Sequence, residues 1–160
     1  EHCTFCRPKM TSFATDAPLE GVYNRYNALA AVLTAKTLGM KHVSLQSFHP
    51  AFGRQETLDI DGKKVKILLS KNPTGFNESL RTVLASSQKG PLFLVLNDRI
   101  PDGRDVSWIW DVDFEVLSRV KRKVFVSGDR KLDLALRLKY AGVRAAISSL
   151  DDAVHRTEND

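Results

Sequence analysis

Residues 124–147 read VFVSGDRKLDLALRLKYAGVRAAI, and this stretch decides the fold. Val124 to Ser127 is a short apolar run of strand length, Lys131 to Ala141 reads as a helix, and Ala145 to Ile147 as a second short strand. Two short apolar strands joined through a helix indicate parallel pairing with a right-handed crossover. The same alternation extends towards the N-terminus. Phe114 to Val120 is predicted as a helix, Pro91 to Asn97 as a strand, Glu78 to Ser86 as a helix and Val65 to Ser70 as a strand. The resulting βαβαβαβ order predicts an α/β, Rossmann-like domain, a mostly parallel sheet with helices on both faces.

Before this alternation the signals change. Asp61-Gly62 marks a hairpin turn. Asn24 is placed as the N-cap of a helix that runs through Ala28 to Ala35 and stops at Gly39; being apolar on nearly every face, it should be buried. Residues 1–20 are irregular, broken by Pro8, Pro18 and the polar run Thr11 to Asp16, and read as a linker or a remnant of a preceding module; 21–160 form the domain proper. The chain opens Glu1-His2-Cys3 without an initiator methionine or a charged-then-apolar leader, and is expected to be a piece of a longer protein.

Composition narrows the function classes. An apolar share of 42% with 27% charged residues is that of a soluble globular domain, and no run approaches the roughly 20 apolar residues of a membrane span. The net charge of +5 has one dense basic run, Lys121-Arg122-Lys123, read as a solvated helix end because no nucleic-acid motif accompanies it. Two cysteines are too few for a disulfide framework and suit a reducing compartment. Cys3 and Cys6 have the spacing of half a zinc ribbon; idle thiols are the alternative reading.

In open parallel sheets ligands bind beyond the carboxyl ends of the strands, which selects three loops. Lys71 to Asn77 offers a lysine, two asparagines and a glycine entering a helix, suited to an anionic ligand or simply to a capped turn. Asn97 to Asp113 is long for a connection and gathers Asp98, Asp102, Asp105, Asp111 and Asp113 around Trp108 and Trp110. Exposed tryptophans beside carboxylates suit a protein contact; packed inward, they would be core. The third loop is Gly128-Asp129-Arg130. Gly53-Arg54-Gln55-Glu56, upstream, reads on its own as a turn.

Taken in order, these segments resemble one family, MurT, the Mur-ligase-like subunits of lipid II isoglutaminyl synthase. The carriers are Tyr23 to Ala31, Gly53 to Glu56, Lys71 to Asn77, Leu96-Asn97-Asp98, Asp102 to Glu115 and Leu136 to Gly142. The first two are shared with Mur ligases broadly. The resemblance implies a fold of the Mur ligase C-terminal domain type and a cytoplasmic enzyme that amidates the D-glutamate of the lipid-linked peptidoglycan precursor. ATP with Mg2+ would activate the carboxylate, and a GatD-like class I glutaminase would supply ammonia. It further implies that Asn24 and Asn27 lie near the nucleotide base, Arg54 near ribose or phosphate, and Lys71 with Asn72 along the nucleotide side of the cleft. Asp105 matches the family aspartate that completes a triad with the partner's Cys-His pair, and Trp108 and Trp110 would belong to the docking surface.

The sequence departs from the family in holding no Gly-Lys-Thr phosphate loop and one Cys pair in place of a whole zinc module. Two other readings stay open: a non-catalytic partner-binding α/β module, and a ligase of the wider Mur and folylpolyglutamate group that adds amino acids.

Overall fold

The computed structural model describes residues 17–51, 53–87, 90–149 and 151–152. They fall in two compact units, divided between Leu68 and Leu69. Cys3, Cys6 and most of the 1–20 segment lie outside the described residues.

The first unit holds helix α1 (Val22–Thr37) and strands β1 (Arg54–Ile60) and β2 (Lys63–Leu68). Gly21, with φ 96°, and not Asn24, is the N-cap of α1; the Asn24 amide donates back to the Glu20 carbonyl at 2.6 Å. At the other end Gly39 adopts φ 87°, and the amides of Gly39 and Met40 close onto the carbonyls of Lys36 and Ala35, the paired bonds of a left-handed helix stop. The expectation of a buried helix does not hold. Only Ala28 and Val32, one turn apart, are buried, whereas Val22 and Leu33 are more than half exposed. A run made largely of alanine gives a helix little side-chain volume with which to anchor more than one face.

Strands β1 and β2 pair antiparallel across Asp61 and Gly62, whose φ values of 51° and 78° are those of the two-residue hairpin turn that matches strand twist. The Gly62 amide is further held by the Asp59 carboxylate at 2.9 Å. The segment expected as the first parallel strand, Val65 to Ser70, therefore spends its paired length in this hairpin. Periodicity identified a strand, but the adjacent tight turn supplied its partner.

In the second unit the βαβ reading holds closely. Helix α2 (Pro73–Ala85), β3 (Leu92–Val95), β4 (Val124–Ser127), α3 (Lys131–Tyr140) and β5 (Ala145–Ile147) follow in order, and β3-β4-β5 form a parallel sheet in that sequence. Asn72 caps α2 by accepting from the Gly75 amide at 2.8 Å, with Pro73 at the first helical position, where its missing N–H costs nothing. Alternate strand residues Leu92, Leu94, Leu96, Val124 and Val126 share one core with Leu80 of α2 and Leu134 and Leu138 of α3. The intervening Phe93 and Phe125 stack on one another at 5.1 Å, on the opposite face of the sheet.

The long β3–β4 connection contributes several side chains to the core. Ser107–Asp111 and Phe114–Arg119 are 3₁₀ turns, and Val106, Ile109, Val112, Phe114 and Leu117 are buried. The helix expected over 114–120 is thus a tighter one, because its buried residues Phe114 and Leu117 recur at three, the 3₁₀ repeat, over a span too short for an α-helical face. The basic run is not wholly solvated either. Arg122 turns inward, donating from Nε to the Gly90 carbonyl at 2.6 Å, and burial pulls its pKa down from the ordinary arginine value.

Candidate functional site

The carboxyl ends of β3 and β4 are welded together by close backbone approach and by ion pairs. Gly128 has φ 98°, and a Cβ there would fall 2.3 Å from the Leu96 carbonyl oxygen and 2.9 Å from Asn97 Oδ1. Only glycine fits. The closeness lets the Arg130 amide donate to the Leu96 carbonyl at 3.0 Å and the Asp129 amide to Asn97 Oδ1 at 3.1 Å. Above these bonds two ion pairs cross between the loops. Arg99 grips Asp129 through Nε and Nη2 at 2.6 and 3.1 Å, and Arg130 reaches Asp98 at 3.3 Å while holding Asp133 at 2.7 Å. The hydrogen bonds from Arg99 hold the Asp129 carboxyl below its usual range, and those from Arg130 do the same for Asp133.

Asp105 stands in the Asn97 to Asp113 segment with its side chain exposed. Its Oδ1 accepts the Ser107 amide at 2.8 Å, a local turn that fixes the carboxylate. Hydrogen bonds from the Ser107 hydroxyl and amide lower its pKa from the ordinary aspartate value, so it is ionised at neutral pH. An exposed, oriented carboxylate of this kind can accept an N–H from another molecule.

The two tryptophans part company. Trp108 is half-buried, 6.1 Å from Phe76, which in turn meets Phe114 edge-on at 5.2 Å. Trp110 is 49% exposed and meets Tyr140 edge-on at 5.6 Å. With Ile109 between them buried, the 3₁₀ turn sends the rings to different sides. Trp110 is thus the one of the pair that offers a contact surface. Beneath it lies Arg137, a buried cation 5.7 Å from the Trp110 centroid and 5.5 Å from that of Phe114, which sequence reading passed over. Its Nη2 donates to the Val112 carbonyl at 2.6 Å and pairs with Glu115 at 2.9 Å.

Lys71 donates to the Pro101 carbonyl at 2.6 Å and so ties the loop before α2 to the Asp105 segment. Asn72 has its side-chain oxygen engaged as the α2 cap. Asn24, Asn27 and Arg54 belong to the first unit. Asn24 and Asn27 are one turn apart on α1, and Arg54 opens β1. Asn24 and Arg54 are linked through Gln55, in a segment whose sequence reads as a turn. Gln55 is buried, has φ 60°, and exchanges two hydrogen bonds with the backbone of Glu20, the residue whose carbonyl Asn24 also uses. Among the described residues no group of three or more His, Cys, Asp or Glu could hold a metal ion, and no helix is long and apolar enough to cross a membrane.

Comparison with known proteins bears on the same segments. A family model described as MurT ligase C-terminal matches residues 69–159. Subunit MurT of the glutamine-hydrolysing lipid II isoglutaminyl synthase of Staphylococcus aureus (strain COL) is 36% identical over 137 residues, covering 82% of this chain and 31% of the relative. The subunit of the same name from Streptococcus pneumoniae (strain ATCC BAA-255 / R6) is 36% identical over 148 residues, covering 87% and 33%. The chain therefore spans about a third of the length of these curated relatives. Among solved structures, folylpolyglutamate synthase from Thermotoga maritima superposes with a TM-score of 0.53 at 18% identity, over 89% of this chain and 34% of that one, a likeness of fold alone. With the family model matched over more than half of its residues, the chain belongs to the MurT ligase C-terminal family.

Proposed function

We propose that the chain serves as the C-terminal part of the ligase subunit of a lipid II isoglutaminyl synthase. In this reading a cytoplasmic complex amidates the D-glutamate carboxylate of the peptidoglycan precursor with ammonia released by a GatD-like class I glutaminase. ATP with Mg2+, when bound, supplies the activation of that carboxylate. The observation that carries the reading is Asp105: an exposed carboxylate, held ionised and oriented by Ser107, on the segment that also presents Trp110. A histidine acting as base needs its second N–H held by an acceptor, which fixes the tautomer and stabilises the imidazolium. Asp105 supports that role for a partner's histidine, and Trp110 that of a docking residue; Trp108 would act by bracing the segment from within.

In each unit, taken by itself, the residues proposed as nucleotide contacts have groups to offer. Lys71 keeps two N–H groups after bonding Pro101, and the Arg54 side chain is exposed, so both have charge to offer ribose or phosphate oxygens, while Asn24 and Asn27 offer amides to a base. Cys3 and Cys6, the candidate zinc ligands, lie outside the described residues.

The test compares two nitrogen sources in a complex containing a ligase chain of the relatives' length. Asp105→Asn should lower glutamine-dependent amidation by about 100-fold or more, as loss of a triad acid does, and leave ammonia-dependent amidation nearly intact. Equal loss with both sources, in a complex that still assembles, would place Asp105 in the ligase cleft and defeat the reading.

A further inference from the structure

Gln55 is an unusual residue by three measures. It is buried although polar, its φ of 60° lies in the left-handed region that side-chain-bearing residues avoid, and both ends of its amide are engaged. Oε1 accepts the Glu20 amide at 2.8 Å, and Nε2 donates to the Glu20 carbonyl at 2.7 Å and to the Tyr23 hydroxyl at 3.2 Å. The side chain imitates a backbone partner, offering Glu20 the acceptor and donor that a neighbouring strand would offer. The same Glu20 carbonyl receives the Asn24 amide at 2.6 Å, so both of its lone pairs are used, one by each asparagine-type amide.

The rest of Gly53 to Glu56 supports this arrangement. The Gly53 amide is held by the Glu56 carboxylate at 3.1 Å, and the β1–β2 register slips between Arg54 and Glu56, so that Gln55 is the extra residue of a bulge. A bulge re-aims the side chains on either side of it. Here it turns Gln55 inward to Glu20 while Arg54 stays exposed. Lys66 of β2 adds an ion pair with the Glu20 carboxylate at 2.7 Å.

We infer that Gln55 is a positioning residue, whose side-chain amide pins the entry to α1 onto β1 and thereby fixes Asn24 and Asn27 with respect to Arg54. The inference rests on the reading of those three residues as nucleotide contacts. Strain held at a buried residue fits such a role, since a left-handed glutamine persists only where its surroundings require that conformation. Neither Asn24 nor Arg54 need move far for binding to suffer, because contacts shared among several groups depend on their spacing.

The experiment uses a ligase chain of the relatives' length carrying this segment, fed with ammonia so that no glutaminase is required. Gln55→Gly is the sharpest variant: glycine accepts φ 60° without strain, so the backbone is eased while all three side-chain bonds are lost. Gln55→Glu keeps the acceptor for the Glu20 amide and loses both donations. We expect Gln55→Gly to raise KM for ATP about tenfold with kcat within about twofold, and Gln55→Glu to fall between it and the parent. A merely structural role would lower thermal stability and active fraction while leaving KM for ATP unmoved; that result overturns the inference. Arg54→Ala distinguishes a nucleotide contact from the residue that positions it. If it leaves KM for ATP unchanged while Gln55→Gly raises it, the nucleotide role of Arg54 falls and the clamp on α1 stands. If Arg54→Ala raises KM and Gln55→Gly does not, the nucleotide reading survives and the positioning role is overturned. If neither variant moves it, both are.

Discussion

The Arg137 guanidinium lies under the Trp110 ring, 5.7 Å from its centroid, and donates to the Val112 carbonyl at 2.6 Å. One buried side chain thereby joins α3 to the segment that carries Asp105 and Trp110. Its Nε has no hydrogen-bond partner among the described residues, so its environment is set by two aromatic rings, one carbonyl and Glu115. Arg137→Met should cost about 2–4 kcal/mol in urea denaturation, because the Val112 carbonyl and the ring faces lose their partner together. Arg137→Lys should recover little of it, since an ammonium cannot lie flat between rings. A lysine variant as stable as the parent would show that charge alone is needed there.

Gly128 and Gly103 offer a matched contrast. Both have positive φ, 98° and 87°, yet a Cβ at Gly103 would meet nothing within 4 Å, whereas at Gly128 it would strike the Leu96 carbonyl. Gly103→Ala should cost only the backbone strain, about 1 kcal/mol. Gly128→Ala should cost at least about 3 kcal/mol or prevent folding, because backbone atoms of β3 cannot step aside. Equal thermal midpoints for the two variants would mean that the β3 and β4 ends are not in fact in contact.

Asp105 should titrate below the ordinary aspartate value of about 3.9 when followed by NMR. A depressed folded pKa stabilises the fold above the unfolded value, and that contribution disappears as pH falls through the folded one. Because the side chain is exposed, Asp105→Asn should leave the thermal midpoint at neutral pH nearly unchanged. Ser107→Ala should move the midpoint of titration upward by removing the hydroxyl donor, and Ser107→Pro further by removing the amide as well. A titration indifferent to both changes would disprove the turn as the source of the shift.

Magnesium-ATP should bind this chain weakly, with a dissociation constant of about 1 mM or more, because the sequence holds no phosphate loop and Lys71 supplies only one wall of a site. Isothermal calorimetry decides it, and micromolar affinity would require phosphate contacts other than those described.

The parallel unit was legible in the sequence because its strands are short apolar runs separated by segments of helix length; Val124–Ser127 and Ala145–Ile147 coincide with the expected bounds. At α3, Gly142 with φ 72° lets Val143 close onto the Leu138 carbonyl, again a signal carried by one residue. What stayed hidden were choices of partner. Nothing in Val65 to Ser70 says whether its neighbour is parallel or antiparallel, and nothing in the spacing of Trp108 and Trp110 says which faces the core. Gln55 was hidden most thoroughly. Its importance lies in a bulge and a bond to Glu20, 35 positions away, and no local pattern encodes either. Arg137 could have been suspected, as a basic residue whose helical neighbours Leu134 and Leu138 point to the core.

The crossed pairs Arg99–Asp129 and Arg130–Asp98 leave that rim of the sheet electrically settled before anything arrives. A phosphate or carboxylate approaching either guanidinium meets a cation already paired, with an aspartate beside it that competes and repels. The attraction it feels is offset by that neighbouring carboxylate, and it is left with the N–H groups that the aspartates do not use. Because each pair runs from one loop to the other, an anion that displaced either aspartate would also remove a tie between the ends of β3 and β4.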